Sequence, residues 1–156
     1  MTTKLVCPWE DHRICMVVFS SPVEEEMKMG LSVDEQRCIG CGACERACAY
    51  EHFGEEDPEM ARLRVLEKAD APGTYRIIRC DECGVCMDLC PKGAIEMDPL
   101  GRFCIVEDRC TGCGNCAASC PRRAVFIRSS LGVPFKCTGC GACVEACPQG
   151  ALTIKP

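Results

Sequence analysis

Apolar and polar positions alternate weakly over several short stretches of the chain. They are RLRVLEK at 62–68, YRIIR at 75–79, AIEM at 94–97, FCIVE at 103–107, AVFI at 124–127 and ALTI at 151–154. Each is bounded by Gly or Pro and predicts a short strand. CERACAYEH at 44–52, CMDLC at 86–90, CAASC at 116–120 and CVEAC at 143–147 predict short helices. No apolar run approaches a membrane span. The early run from Ile14 to Phe19 is too short for the apolar part of a secretion signal, and no twin-Arg pair precedes it. A cytoplasmic location is expected. Residues 1–32 contain ICMVVFSS and then PVEEEMKMG. This extension is expected to pack on the rest as an extra strand or to dock a partner.

These elements are too short to bury much, and composition sharpens the difficulty. The 156 residues include one Trp, two Tyr and five Phe, and the 47% hydrophobic fraction counts 19 cysteines. A core this lean needs covalent or metal staples. Sixteen of the cysteines form four copies of C-x2-C-x2-C-x3-C: Cys38, Cys41, Cys44, Cys48; Cys80, Cys83, Cys86, Cys90; Cys110, Cys113, Cys116, Cys120; and Cys137, Cys140, Cys143, Cys147. Three copies end in Cys-Pro and continue with matching tails, PKGAIEM, PRRAVFI and PQGALTI. Three share C-x-G-C-G-x-C, and the second reads CDECGVC.

A disulfide scaffold suits a short secreted chain. An odd cysteine number without a secretion signal argues against it. Zinc sites use C-x2-4-C pairs set apart by a longer loop, which leaves the recurring fourth Cys and its Pro without a reason. Four [4Fe–4S] clusters account for all of it. Three cysteines at i, i+3 and i+6 wrap a loop round one face of a cubane. Glycines such as Gly40, Gly42, Gly112, Gly114, Gly139 and Gly141 permit the tight turns. The fourth cysteine points away and serves a neighbouring cluster, as in two-cluster bacterial ferredoxins.

With those motifs the stretch from about 33 to 156 resembles a duplicated bacterial two-cluster ferredoxin. It is similar to the four-cluster electron-transfer subunits that accompany molybdenum and tungsten pterin enzymes. The first copy, CIGCGACERACAYEHFGEEDPEMARLRV, carries much of that likeness, and the small subunits of tungsten aldehyde oxidoreductases and aryl-CoA reductases are nearest in size. The compact fourth copy, CTGCGACVEACP, departs from relatives that interrupt it. The implied fold is α+β, with short strands and helices round the clusters.

The gaps between copies shorten along the chain, and Cys80 to Cys120 reads as one complete ferredoxin. An inner unit, 80–120, is therefore expected to be inserted into an outer unit of 33–79 plus 121–156. The resemblance implies the same nesting. The ligand sets become Cys38, Cys41, Cys44 with Cys147; Cys137, Cys140, Cys143 with Cys48; Cys80, Cys83, Cys86 with Cys120; and Cys110, Cys113, Cys116 with Cys90. Sequential pairing of copies, one with two and three with four, is the alternative.

Cys104 is expected to be a buried, inert thiol. Cys7, His12 and Cys15 are one ligand short of a fifth metal site, so packing or partner contact is expected there. His52 is expected at the surface or as a cap, with tuning of the first cluster as the other option. Arg37, Arg46, Arg79, Lys92, Arg109, Arg122, Arg123 and Lys136 lie near the motifs, as solvated surface or as counter-charge to the clusters.

The formal charge is −5, from 18 basic and 23 acidic residues, and no basic stripe suggests nucleic acid. No phosphate loop, Rossmann-sized unit or nucleophile–base constellation can be read. With every cluster ligand a cysteine, the function left is electron transfer, with no catalytic site of the chain's own. Expected partners in a hetero-oligomer are a larger tungsten or molybdenum pterin subunit at one end and a flavin NAD(P)H subunit or ferredoxin at the other. A free-standing polyferredoxin shuttle is the rival.

Overall fold

The computed structural model describes residues 30–155, so Cys7, His12, Cys15 and most of the N-terminal extension lie outside the described residues. Among the described residues eight strands pair into four antiparallel two-stranded ribbons. In chain order they are β1 (Gly30–Val33), β2 (Arg64–Glu67), β3 (Tyr75–Ile78), β4 (Ile95–Met97), β5 (Phe103–Ile105), β6 (Val125–Phe126), β7 (Phe135–Lys136) and β8 (Leu152–Lys155). Among the described residues four α-helices accompany them: α1 (Ala43–Phe53), α2 (Val85–Asp88), α3 (Asn115–Ser119) and α4 (Ala142–Ala146). The mixture of short helices and strands is the α+β content expected.

The six strands anticipated from alternation are present; five are shorter than expected, and the last is shifted by one residue to Leu152–Lys155. Two lie outside those six. β7 pairs with β6, with Phe126 opposite Phe135. β1 pairs with the C-terminal β8, with Leu31 opposite Ile154 and Val33 opposite Leu152. β1 crosses the boundary drawn between residues 32 and 33, so residues 30–32 do add a strand to the cluster-bearing part.

Each helix opens behind a left-handed glycine: Gly42, Gly84, Gly114 and Gly141. That conformation turns the chain sharply from loop to helix, and glycine adopts it without a Cβ clash. The third cysteine of each motif therefore falls in the first turn of its helix. α1 is much the longest and ends at Gly54, also left-handed, whose N–H bonds Tyr50 O at 2.8 Å.

Buried side chains gather in two groups. The larger contains Leu31, Cys44, Cys48, Ala49, Met60, Ala61, Leu63, Ile77, Cys143 and Leu152, with Cys38 and Cys147 packed against it. The smaller contains Cys86, Ile95, Phe103, Cys116 and Val125, with Cys90 and Cys120 against it. Arg102 ties the two regions together. Asp98 holds its guanidinium at 2.8 Å, and Nη1 donates to Thr138 O at 2.8 Å. No helix among the described residues is long and apolar enough to cross a membrane.

Candidate iron–sulfur centres

The four motifs share one local geometry. The second cysteine of each, Cys41, Cys83, Cys113 and Cys140, is exposed. The third, Cys44, Cys86, Cys116 and Cys143, is buried at the start of its helix. Between the first and second cysteines the chain passes through positive φ, at Gly40 (70°), Gly112 (68°) and Gly139 (70°). A Cβ on Gly40 would sit 2.3 Å from the Tyr75 ring, and one on Gly112 would sit 2.3 Å from Gly132 O. Glycine is thus required for close cover as well as for the turn. The Gly112 and Gly139 N–H groups donate to Cys110 and Cys137 sulfur, each at 3.4 Å.

The fourth cysteines explain the matching tails. Cys90 accepts from the Ala94 N–H, Cys120 from Ala124 and Cys147 from Ala151, all at 3.3 Å. In each case a turn after Cys-Pro reverses the chain through positive φ, at Gly93, Arg123 and Gly150. The three alanines are almost fully buried, so a larger side chain has no room. The first copy lacks the proline, α1 runs on past Cys48, and the Arg62 N–H supplies the same bond to Cys48 at 3.2 Å. Each fourth sulfur thus has a backbone donor ready for a thiolate.

Cys38, Cys41, Cys44 and Cys147 line one apolar recess, open to solvent, with Ile39, Val65, Ile77 and Leu152. Four cysteines round one recess are the ligand number of a [4Fe–4S] cluster. Among the described residues no group of three or more Cys, His, Asp or Glu could hold a single metal ion. Burial pushes the Cys44 thiol up to about 11, with Glu45, Cys38 and Cys147 among its charged neighbours. Burial pushes Cys48 up to about 12, with Cys137 and Cys140 nearby, and it raises Cys143, whose neighbours include Cys137 and Cys48. Burial also raises Cys86, beside Cys83 and Cys120, and Cys116, beside Cys86 and Cys110. A thiol has to lose its proton to serve as a metal ligand, and burial opposes that loss until a metal is bound.

Three residues near the sulfurs have roles that the sequence did not reveal. His52 is half-buried; its Nε2 lies 3.2 Å from Thr138 Oγ1 and 3.5 Å from Cys140 Sγ, so it meets the fourth motif and not the first. Burial, with the Arg62 charge, holds its pKa down at about 4, so the ring is neutral. Glu82 occupies the position that is glycine in the other copies, with φ of 53°. A left-handed backbone costs a non-glycine residue about 1–2 kcal/mol. Its side chain is nonetheless buried, accepting the Phe103 N–H at 2.8 Å and facing Lys136 Nζ at 3.1 and 3.2 Å. Lys136, expected as surface or counter-charge, is 2% exposed. The glycine-to-Glu change in CDECGVC was the available signal. Cys104 on β5 is half-buried, not fully buried as expected.

Models of the 4Fe-4S dicluster domain match residues 37–95, 79–124 and 102–148. The arsenate respiratory reductase iron-sulfur subunit ArrB of Shewanella sp. is 31% identical over 80 residues, 48% of this chain and 34% of that protein. The aliphatic sulfonate oxidoreductase polyferredoxin-like subunit of Pyrococcus furiosus is 32% identical over 77 residues, 48% of this chain and 43% of that protein. The aligned stretches thus span less than half the length of these curated relatives. Among solved structures, the active site complex BamBC of benzoyl coenzyme A reductase matches with a TM-score of 0.47 and 25% identity, over 81% of this chain and 78% of that one. The three 4Fe-4S dicluster domain matches overlap and together run from residue 37 to residue 148.

Proposed function

We propose that this chain is an electron-transfer subunit that holds four [4Fe–4S] clusters in series. The observation that carries the reading is one ligand architecture used four times: a glycine-turned loop, a buried third cysteine, and a fourth sulfur with its own backbone donor. A bound cluster supplies reversible one-electron chemistry. The protein supplies the thiolates, the N–H groups that steady their charge, and one exposed cysteine edge per site through which electrons enter and leave.

The ligand sets are the nested ones given above. The recess lined by Cys38, Cys41, Cys44 and Cys147 supports this, as does the charge of Cys137 and Cys140 on Cys48. Pairing of β1 with β8, and the packing of Cys44, Cys48 and Cys143 in one group, favour an outer unit closed around an inner one. The partners are a larger tungsten or molybdenum pterin subunit and, at the other end, a flavin NAD(P)H subunit or ferredoxin, in the cytoplasm of an anaerobically growing cell. One relative named as a reductase iron–sulfur subunit and another named as a polyferredoxin-like subunit of an oxidoreductase support a subunit over a shuttle.

Anaerobic purification tests the reading. About sixteen irons and about sixteen acid-labile sulfides per chain are expected, four of each per cluster. About four zinc ions without sulfide would overturn it. Cys147→Ser is expected to perturb the cluster of the first motif and spare that of Cys137, Cys140 and Cys143, and Cys48→Ser to do the converse. Perturbation by Cys147→Ser of the cluster of the third motif would establish sequential pairing. A stoichiometric partner is expected to co-purify; elution alone would favour the free-standing polyferredoxin.

A further inference from the structure

We propose that the buried Lys136–Glu82 pair sets the reduction potentials of the two clusters that meet at the junction of the two regions. These are the cluster of Cys80, Cys83, Cys86 and Cys120 and the cluster of Cys137, Cys140, Cys143 and Cys48. The assignment rests on the ligand sets proposed above. Glu82 lies inside the second motif's loop, between Cys80 and Cys83, and Lys136 immediately precedes Cys137. The two side chains meet across the junction, 3% and 5% exposed, with Nζ 3.1 Å from Oε2. Lys136 Nζ also donates to Phe103 O, and to Cys137 O at 3.2 Å. Glu82 takes the Phe103 N–H besides the ammonium.

Every one of these contacts lies in the two loops, on β7 or on β5, away from bulk water. Charges in so dry a place act on neighbouring charges with little screening. Reduction adds an electron to a cluster, so a nearby ammonium favours the reduced form and a nearby carboxylate opposes it. The two charges act in opposite senses: the Lys136 ammonium, which also donates to Cys137 O at 3.2 Å, raises the potentials of the clusters on either side of the junction, and the Glu82 carboxylate, held on the Phe103 N–H, lowers them. A pair placed only for packing has no need of a carboxylate at a position built for glycine in the other three loops.

Two single variants separate this from a structural lock because they move the potentials in opposite directions. The readout is an EPR-monitored redox titration of the full chain, with iron and sulfide content measured on the same samples. Lys136→Met is expected to lower two of the four midpoint potentials by about 59 mV or more, a tenfold change in a one-electron reduction equilibrium. Glu82→Gln, which keeps the shape and removes the charge, is expected to raise the same two. Lys136→Arg is expected to restore them nearly to the parent values. The other two potentials are expected to stay in place. Shifts of the same sign in both charge-removing variants, or unmoved potentials in iron-replete protein, would overturn the proposal. If Lys136→Met fails to assemble, the Glu82→Gln result decides: an upward shift in two clusters supports the assignment, and none overturns it. Low iron in the parent protein would instead count against the four-cluster reading.

Discussion

The region around the first and fourth motifs and the region around the second and third use the same cysteine pattern but are built differently. The first has Leu31, Met60, Leu63, Ile77 and Leu152 buried among its sulfurs, an eleven-residue α1, and a β2–β3 ribbon in the long gap after Cys48. The second has Ile95, Phe103 and Val125, with helices of four and five residues. An apolar side chain contributes about 1.5–3 kcal/mol when fully buried, whereas isolated short helices contribute almost nothing. The first region thus holds part of its fold by ordinary packing. The second depends on what its cysteines bind.

Removing the iron is expected to produce the largest effect and to expose the difference most directly. During anaerobic chelation, hydrogen exchange should lose protection first at 85–88 and 115–119 and later at 43–53. The expected outcome is two phases in that order by mass spectrometry. A single phase covering both regions would show that α1 and its packing have no stability of their own, and the comparison would fail.

A smaller effect tests the packing itself with the clusters in place. Leu63 is 1% exposed at the centre of the first region, and Leu63→Ala is expected to cost about 2–5 kcal/mol. Ile95→Val in the second region is expected to cost about 0.5–1.5 kcal/mol. Anaerobic denaturant titration gives both. A Leu63→Ala variant as stable as the parent would mean that even this region is held by its ligands alone.

The two regions were also unequally readable from the sequence. Cysteine spacing is local, so motifs, helix starts and the strands after Cys-Pro could be placed without knowing the fold. GLSV at 30–33 does alternate, with Leu31 and Val33 apolar, but only over four residues; what makes it a strand is Leu152 and Ile154 of β8 lying opposite Val33 and Leu31. Phe135–Lys136 is too short to carry any pattern and owes its pairing to β6. Lys136 looks like every other lysine near a motif. Only its partner in a distant loop makes burial tolerable, because a lone buried ammonium would be costly. His52 reaches Cys140 because α1 packs against α4, a contact no local window contains.

The smallest expected effect concerns how the first region clamps its ribbon. Glu35 accepts the Ile77 N–H at 3.2 Å and pairs with Lys68 Nζ at 2.8 Å, fastening the turn before Cys38 to β2 and β3. The Lys68 hydrogen bond, aided by the Ile77 N–H and the Lys68 and Arg76 charges, holds the carboxyl below its ordinary value of 4.5 against the opposing effect of burial. Protons bind more readily to this carboxyl in the unfolded chain. Its stabilising contribution is therefore complete above about 4.5 and falls away as pH drops through the lower folded value. The side chains are 35% and 27% exposed, so water and salt screen the pair, and Glu35→Gln is expected to cost only about 0.5 kcal/mol at pH 7. Denaturant titrations of parent and variant should show the gap narrowing toward pH 4 and shrinking in about 1 M salt, where screening reaches within about 3 Å. A gap that stayed constant with both pH and salt would assign Glu35 a packing role, and the clamp would then owe nothing to charge.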